Sequence, residues 1–236
     1  MPVITMCSTK GGVGKSTMAL VLANVFAKAG SKVKLIDADP NQPLVTWMER
    51  SVDTMPPNDT MPPNIEVSGN ITEQNIVSCI DDAVEQFPFV IVDLEGSANL
   101  AASFAIGRAD LVLIPMRKKQ LDGDQIGKII ALIKQQSQFF KREIPFRIVF
   151  SMTNTLNSRE GQHIEKTLEK ANLPILPASL TERGAFSAIF QIGGSLFDLT
   201  SADVSNPQAA QENATVFANA VVKVLDNENL LKDKVA

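Results

Sequence analysis

The opening of the chain restricts its fold more than any other segment does. Val3–Met6 is an apolar run of strand length. It passes directly into Ser8-Thr-Lys-Gly-Gly-Val-Gly-Lys-Ser-Thr17 and then into a stretch of helical period over residues 15–29. Glycines at 11, 12 and 14 free the backbone to bend so that successive N–H groups point inward, and a helix N-terminus adds partial positive charge. Strand, loop and helix in that order make a cradle for phosphate. Gly11, Gly12, Val13, Gly14, Lys15, Ser16 and Thr17 are its expected contacts, with Lys15 reaching the β- and γ-phosphates and the Ser16 hydroxyl placed for Mg²⁺.

The rest of the chain repeats the alternation. Residues 33–36, 89–92, 111–114 and 148–150 are short, continuous and β-branched, as strands covered on both faces must be. Residues 72–86, 122–140, 158–171 and 208–225 read as helices, 172–177 as a further strand and 64–67 as a short edge strand. The spacing predicts an α/β fold: a doubly wound, mostly parallel sheet with helices on both faces, in a single domain over residues 1–236. No Gly/Ser or Pro linker divides it. The direct repeat Met55-Pro-Pro-Asn58, Met61-Pro-Pro-Asn64 reads as a stiff surface spacer.

Composition excludes several classes. At 44% hydrophobic and 20% charged the chain is too apolar for disorder, and two cysteines exclude a disulfide scaffold. A net charge of −4 excludes a globally basic nucleic-acid coat. No apolar run approaches the roughly 20 residues of a membrane helix. The N-terminus reads as a buried strand and not as a signal peptide, so the expected location is cytoplasmic.

The loop departs from the ordinary Walker A pattern, whose first glycine would fall at Thr9. A second lysine, Lys10, precedes the glycine pair. Closing the loop does not need that cation; neutralising charge on a transferring phosphoryl group, in cis or across a dimer, would use it. The Lys-Gly-Gly-Val-Gly-Lys-Ser string resembles the deviant Walker A of the ParA/MinD family of ATPases. The resemblance implies ATP and Mg²⁺ as ligands, slow partner-stimulated hydrolysis, and an ATP sandwich homodimer in which Lys10 reaches the nucleotide of the facing subunit.

Two carboxylate sites follow. Lys34-Leu-Ile-Asp-Ala-Asp-Pro40 sets Asp37 and Asp39 at the end of the second strand, on one side of it, where open α/β sheets bind ligands. They suit either Mg²⁺ waters, the attacking water or strand-end capping, and the family's Asp-x-Asp-Pro motif gives the water to Asp39. Phe89-Val-Ile-Val-Asp-Leu-Glu-Gly96 has the Walker B shape, ending a buried strand in Asp93, a carboxylate that is costly unless it meets a cation. Asp93 and Ser16 are therefore the expected metal residues. Glu95 stands where the family has a small or prolyl residue. More weakly, Leu113-Ile-Pro115 with Gln120-Leu-Asp122 resembles the family's interface stretch, Asn154 stands where adenine is often contacted, and Pro177 and Arg183 resemble a segment beside the base.

Among relatives, the stretch from Asp39 to Trp47 is similar to the short partition ATPases and to their relatives in T-DNA processing. With the first strand at Val3, no N-terminal helix-turn-helix is expected. The last residues, 226–236, lack the basic amphipathic pattern of MinD-type membrane helices, so no membrane partner is expected. Residues 117–147 hold eight Lys/Arg against three Asp/Glu, and Arg117, Lys118, Lys119, Lys128, Lys134, Lys141, Arg142 and Arg147 form a candidate surface for non-specific DNA. A solvated helix face is the plainer alternative. The implied role is DNA partition with a small ParB-type adaptor, on the nucleoid. The alternatives are a positioning protein for a non-DNA cargo (cell pole, secretion or conjugation machinery) and a small-molecule ATP-dependent ligase. His163 reads as a surface residue, Cys7 and Cys79 as small hydrophobes, and Trp47 as core or interface packing. The nitrogenase iron protein is excluded because no paired cysteines follow Asp93.

Overall fold

The computed structural model describes residues 1–53, 64–118, 123–153 and 159–228. In chain order the elements are β1 (Val3–Met6), α1 (Lys15–Lys28), β2 (Val33–Ala38), α2 (Pro43–Asp53), β3 (Ile65–Ser68), α3 (Ile76–Gln86), β4 (Phe89–Leu94) and α4 (Leu100–Arg108). They continue with β5 (Leu111–Arg117), α5 (Gly123–Phe140), β6 (Phe146–Thr153), α6 (Arg159–Lys170), β7 (Leu180–Thr181), α7 (Gly184–Ile192) and α8 (Pro207–Asn227). The strands form one sheet in the order β3-β2-β4-β1-β5-β6-β7, every neighbouring pair parallel.

Parallel strands joined by crossover helices must bury both faces, and the residue alternation does so. Ile4, Met6, Leu35, Ile91 and Leu113 point into one layer with α1, α2, α7 and α8. Val3, Ile36, Val90, Val92 and Ile114 point into the other, with α3, α4, α5 and α6. The sheet is thus doubly wound, with β1 at its centre and the loops after β1, β2 and β4 opening at the same edge, the ligand edge of such sheets.

Sequence and structure differ in several places. Residues 172–177 are not a strand: they give one bridge, Ile175 to Ile148, and the seventh strand is Leu180–Thr181. Pro174 and Pro177 lack the N–H groups a ladder needs. Three helices, α2, α4 and α7, have no counterpart in the expected elements. They span only 11, 9 and 9 residues, and two of them begin on contacts from outside the helix or from its cap. Asp37 accepts from the N–H of Leu44 at the start of α2, and Asn99 Oδ1 accepts from Ala102 N at the start of α4. The proline repeat falls mainly on residues 54–63, and most of the C-terminal tail on 229–236, both outside the described residues.

Candidate functional site

The phosphate loop is held from behind by its own carbonyls. Lys10 C=O accepts from Ser8 Oγ at 2.7 Å and from Lys15 Nζ at 3.3 Å. Gly12 C=O accepts from Arg117 Nη2 at 2.6 Å, and Val13 C=O from Ser151 Oγ at 2.6 Å. In a trans peptide the C=O and the next N–H point in opposite directions. Tying these three carbonyls outward therefore turns the N–H groups of Gly11, Val13 and Gly14 to the other side of the loop. Gly12 (φ 70°) and Gly14 (φ 92°) occupy left-handed backbone that side chains rarely adopt. Gly14 is also the N-cap of α1, and its carbonyl accepts the first helical bond, from Met18 N. The Lys15 ammonium is buried and folded back onto Ser8 Oγ at 3.2 Å. The fold thus presents converging donors and a sequestered cation, the equipment for a polyphosphate.

The carboxylates divide by role. Asp37 and Asp93 are register partners on β2 and β4 and share the parity of Leu35 and Ile91, so both face the layer that contains α1. Asp37 is consumed structurally: its Oδ2 accepts from Leu44 N at 2.7 Å and Val45 N at 3.1 Å, anchoring α2. Of the readings the sequence left open for it, capping is the one its contacts match. Asp39 is half-buried, with Oδ1 accepting from the backbone and side-chain nitrogens of Asn41, each at 2.9 Å.

Asp93 is fully buried, and neither of its oxygens receives a well-aligned hydrogen bond. Ser16 lies close enough to favour its ionised form, but burial dominates and pushes its pKa up to about 7, with Asp37 adding to the rise and Lys15 opposing it. Such an orphaned carboxylate fits a divalent cation. Among the described residues no cluster of three or more His, Cys, Asp or Glu could hold a metal by itself. Mg²⁺ does not need one, because it is commonly held by one or two protein oxygens plus substrate phosphates. Ser16 and Asp93 match that donor set.

The loop after β4 touches the phosphate loop directly. A Cβ on Gly96 would lie 2.7 Å from Gly11 N and from the Lys10 carbonyl carbon, so only glycine fits. Glu95 faces the other way, accepting from Ser97 Oγ at 2.9 Å and Asn99 Nδ2 at 3.2 Å. On the far side of α1 a cavity of about 70 Å³ is lined by Gly14, Thr17, Met152, Thr181, Arg183 and Phe186. Arg183 therefore borders the loop, whereas Pro177 lines a separate cavity with Lys118 and Glu165. Asn154 lies outside the described residues, as do Gln120, Leu121 and Asp122. Lys10 is half-buried on the loop.

Among the described residues, the cations of the basic run 117–147 are divided among several partners. Arg117 donates to the phosphate loop from the end of β5, Lys118 pairs with Glu165 and sits over the Phe150 ring, and Arg147 pairs with Glu228. Arg142 donates to Gly107 C=O and Ala109 C=O, closing the end of α4. Lys128 and Lys134 remain exposed on α5, about 27 Å long, and Lys141 just past its end. Lys119 is outside the described residues. Ser8, Arg117 and Ser151 are the site residues that the motifs did not reveal. Nothing local marks Arg117 or Ser151, since each acts on a loop carbonyl more than 100 positions away, whereas Ser8 bonds the Lys10 carbonyl within the loop segment itself.

A doubly wound parallel sheet with this loop at the end of its central strand defines a P-loop nucleotide-binding protein, and Lys10 with the Asp-x-Asp-Pro segment places it in the ParA/MinD class. A family model described as VirC1 protein matches residues 1–234, and the chain belongs to that family. Protein ParA of Rhizobium radiobacter is 39% identical over 226 residues, covering 95% of this chain and 98% of that protein. Protein virC1 of Rhizobium radiobacter is 26% identical over 242 residues, covering 96% and 100%. The crystal structure of a putative plasmid partition protein from Borrelia burgdorferi B31 bound to AMPPNP shares the fold, with a TM-score of 0.69, 18% identity, and coverage of 94% of this chain and 99% of that one. Among the described residues no helix is long and apolar enough to cross a membrane.

Proposed function

We propose that this chain is a Mg²⁺-dependent ATPase that dimerises on ATP, binds DNA non-specifically in that state and releases it after hydrolysis, acting in DNA partition with a small ParB-type adaptor on the cytoplasmic nucleoid. The observation that carries this is the orphaned Asp93 carboxylate beside Ser16, next to a loop whose carbonyls are tied outward. The 39% identical protein named ParA and the fold shared with a partition protein bound to AMPPNP support it.

In this reading positioning and charge neutralisation carry the chemistry, because phosphoryl transfer asks little covalent work of the protein. The N–H groups of the loop and the Lys15 ammonium bind the β- and γ-phosphates. Ser16 and Asp93 would hold Mg²⁺, which when bound offsets the negative charge of the phosphate oxygens. Lys10 meets charge developing on the phosphoryl group of the facing subunit, and Asp39 orients the attacking water through the oxygen that Asn41 does not occupy. Among the described residues of 117–147, Lys128, Lys134 and Lys141 are exposed cations that can meet DNA phosphates.

Gel-shift titration with ATP, ADP and a non-hydrolysable analogue over rising salt tests the cycle. Binding is expected with ATP or the analogue. With six lysines per dimer on phosphates, the slope of log K against log salt is roughly −5. Equal affinity with ADP and ATP would remove the switch. A second reading, a positioning protein for a cargo other than a partitioning plasmid, is favoured by the family description itself. The chain resembles both a protein named ParA and proteins named virC1, so the shared cradle leaves the cargo open.

A further inference from the structure

We infer that Arg117 is a positioning residue for nucleotide: it holds the Gly12 peptide so that the Val13 N–H stays turned toward the phosphates. The inference rests on the nucleotide reading of the loop and gives a task to a residue that spacing alone assigns to a DNA surface. The three tied carbonyls differ in what secures them. Ser8 and Ser151 are buried, and their hydroxyls are fixed by the packing around them. Arg117 is exposed at the end of β5, and it reaches Gly12 from outside.

Little else restrains Gly12. Its φ is +70°, and a Cβ built there would meet nothing within 4 Å. Along that flank, a cavity of about 260 Å³ lies between the loop, the end of β5 and the start of α5, with Gly12, Arg117, Gln125 and Ile129 in its lining. A glycine peptide bordering open space rotates at low cost, so a short charge-assisted hydrogen bond decides its orientation.

The geometry also explains why this side chain can do it. Arg117 and Ser151 are register partners on β5 and β6, so one cross-strand pair holds two consecutive carbonyls, Gly12 and Val13. Thr9 Oγ1 donates to Gln125 Oε1 at 2.6 Å farther along the same flank, anchoring the approach to the loop but not the Gly12 peptide.

The test uses the full chain with Arg117→Ala and Arg117→Lys, fluorescent ATP and ADP analogues with Mg²⁺, and a thermal melt without nucleotide. Arg117→Ala is expected to weaken both nucleotides by about five- to tenfold, the worth of one such hydrogen bond, with the nucleotide-free melt unchanged. Arg117→Lys should retain most of the affinity. Free guanidinium at tens of millimolar should restore it to the Arg117→Ala chain, since the cavity admits it; a general loss of fold would not respond in that way. Unchanged nucleotide affinity with reduced DNA affinity would return Arg117 to the DNA surface and overturn the inference. So would a loss that neither lysine nor guanidinium repairs, or one matched by a lower nucleotide-free melt. A wild-type chain that binds neither nucleotide would overturn the reading of the loop itself, which separates the two failures.

Discussion

Replacing Asp93 by asparagine should stabilise the nucleotide-free chain while abolishing its hydrolysis. Asp93 is fully buried without a well-aligned hydrogen bond, and its pKa is raised from an ordinary 3.8 to about 7. A group with a raised folded-state value binds protons more tightly when folded. Its penalty is therefore absent below about pH 4, grows as pH rises, and is complete above about pH 7. At about 1.4 kcal/mol per tenfold change, keeping the charge buried at pH 8 costs about 4 kcal/mol. The asparagine amide removes the charge but leaves polar hydrogens short of partners, at about 1–3 kcal/mol. The net gain at pH 8 is about 1–3 kcal/mol, or a melting temperature higher by about 2–12 °C for a chain of this size. At pH 5 the wild-type penalty has fallen to below about 2 kcal/mol and the two chains should melt together. Scanning fluorimetry in EDTA at both pH values measures this. An Asp93→Asn chain that melts below wild type at pH 8, or above it by the same margin at pH 5, would refute the account of Asp93 as an uncompensated charge awaiting a cation.

Lys15→Gln removes the buried ammonium, and titration calorimetry should show nucleotide binding lost. Asp39→Ala should keep ATP binding and ATP-dependent dimerisation, as read by light scattering, while turnover stalls; normal phosphate release would end the assignment of the attacking water to Asp39. Gly96→Ala sets a methyl group 2.7 Å from the backbone of Gly11. Overpacking of this kind costs about 1–3 kcal/mol, so nucleotide affinity should drop at least several-fold. Burial pushes the Cys7 thiol up to about 12. In a Cys79→Ser chain, Ellman's reagent at pH 8 should therefore find no reactive thiol until the protein unfolds.

How much of this was legible in the sequence depends on whether a feature is local. The cradle from Val3 to Lys28, Asp37 at the end of β2 and Asp93 at the end of β4 were readable, because a strand, its terminal residue and the next helix are consecutive in the chain. The short helices were not. α2 is anchored by Asp37 six residues before its first residue, and its Trp47 donates to Gly194 C=O, 147 positions away. The 172–177 segment shows apolar content overruled by its two prolines, with the last strand falling instead on Leu180–Thr181. The partners of the basic run were not legible for a related reason. Neighbours in sequence that cross the end of β5, the length of α5 and the start of β6 separate in space. There Arg142 and Arg147 meet Gly107 and Glu228, whereas Arg117 meets Gly12.

The three outward restraints on the phosphate loop come from residues 8, 117 and 151, which belong to parts of the chain synthesised far apart in time. A nascent or truncated polypeptide that ends before residue 117 already contains every letter of the glycine-lysine motif, but lacks two of the three. On the nucleotide reading of the loop, full affinity for a triphosphate therefore waits until β5 and β6 have joined the sheet beside β1.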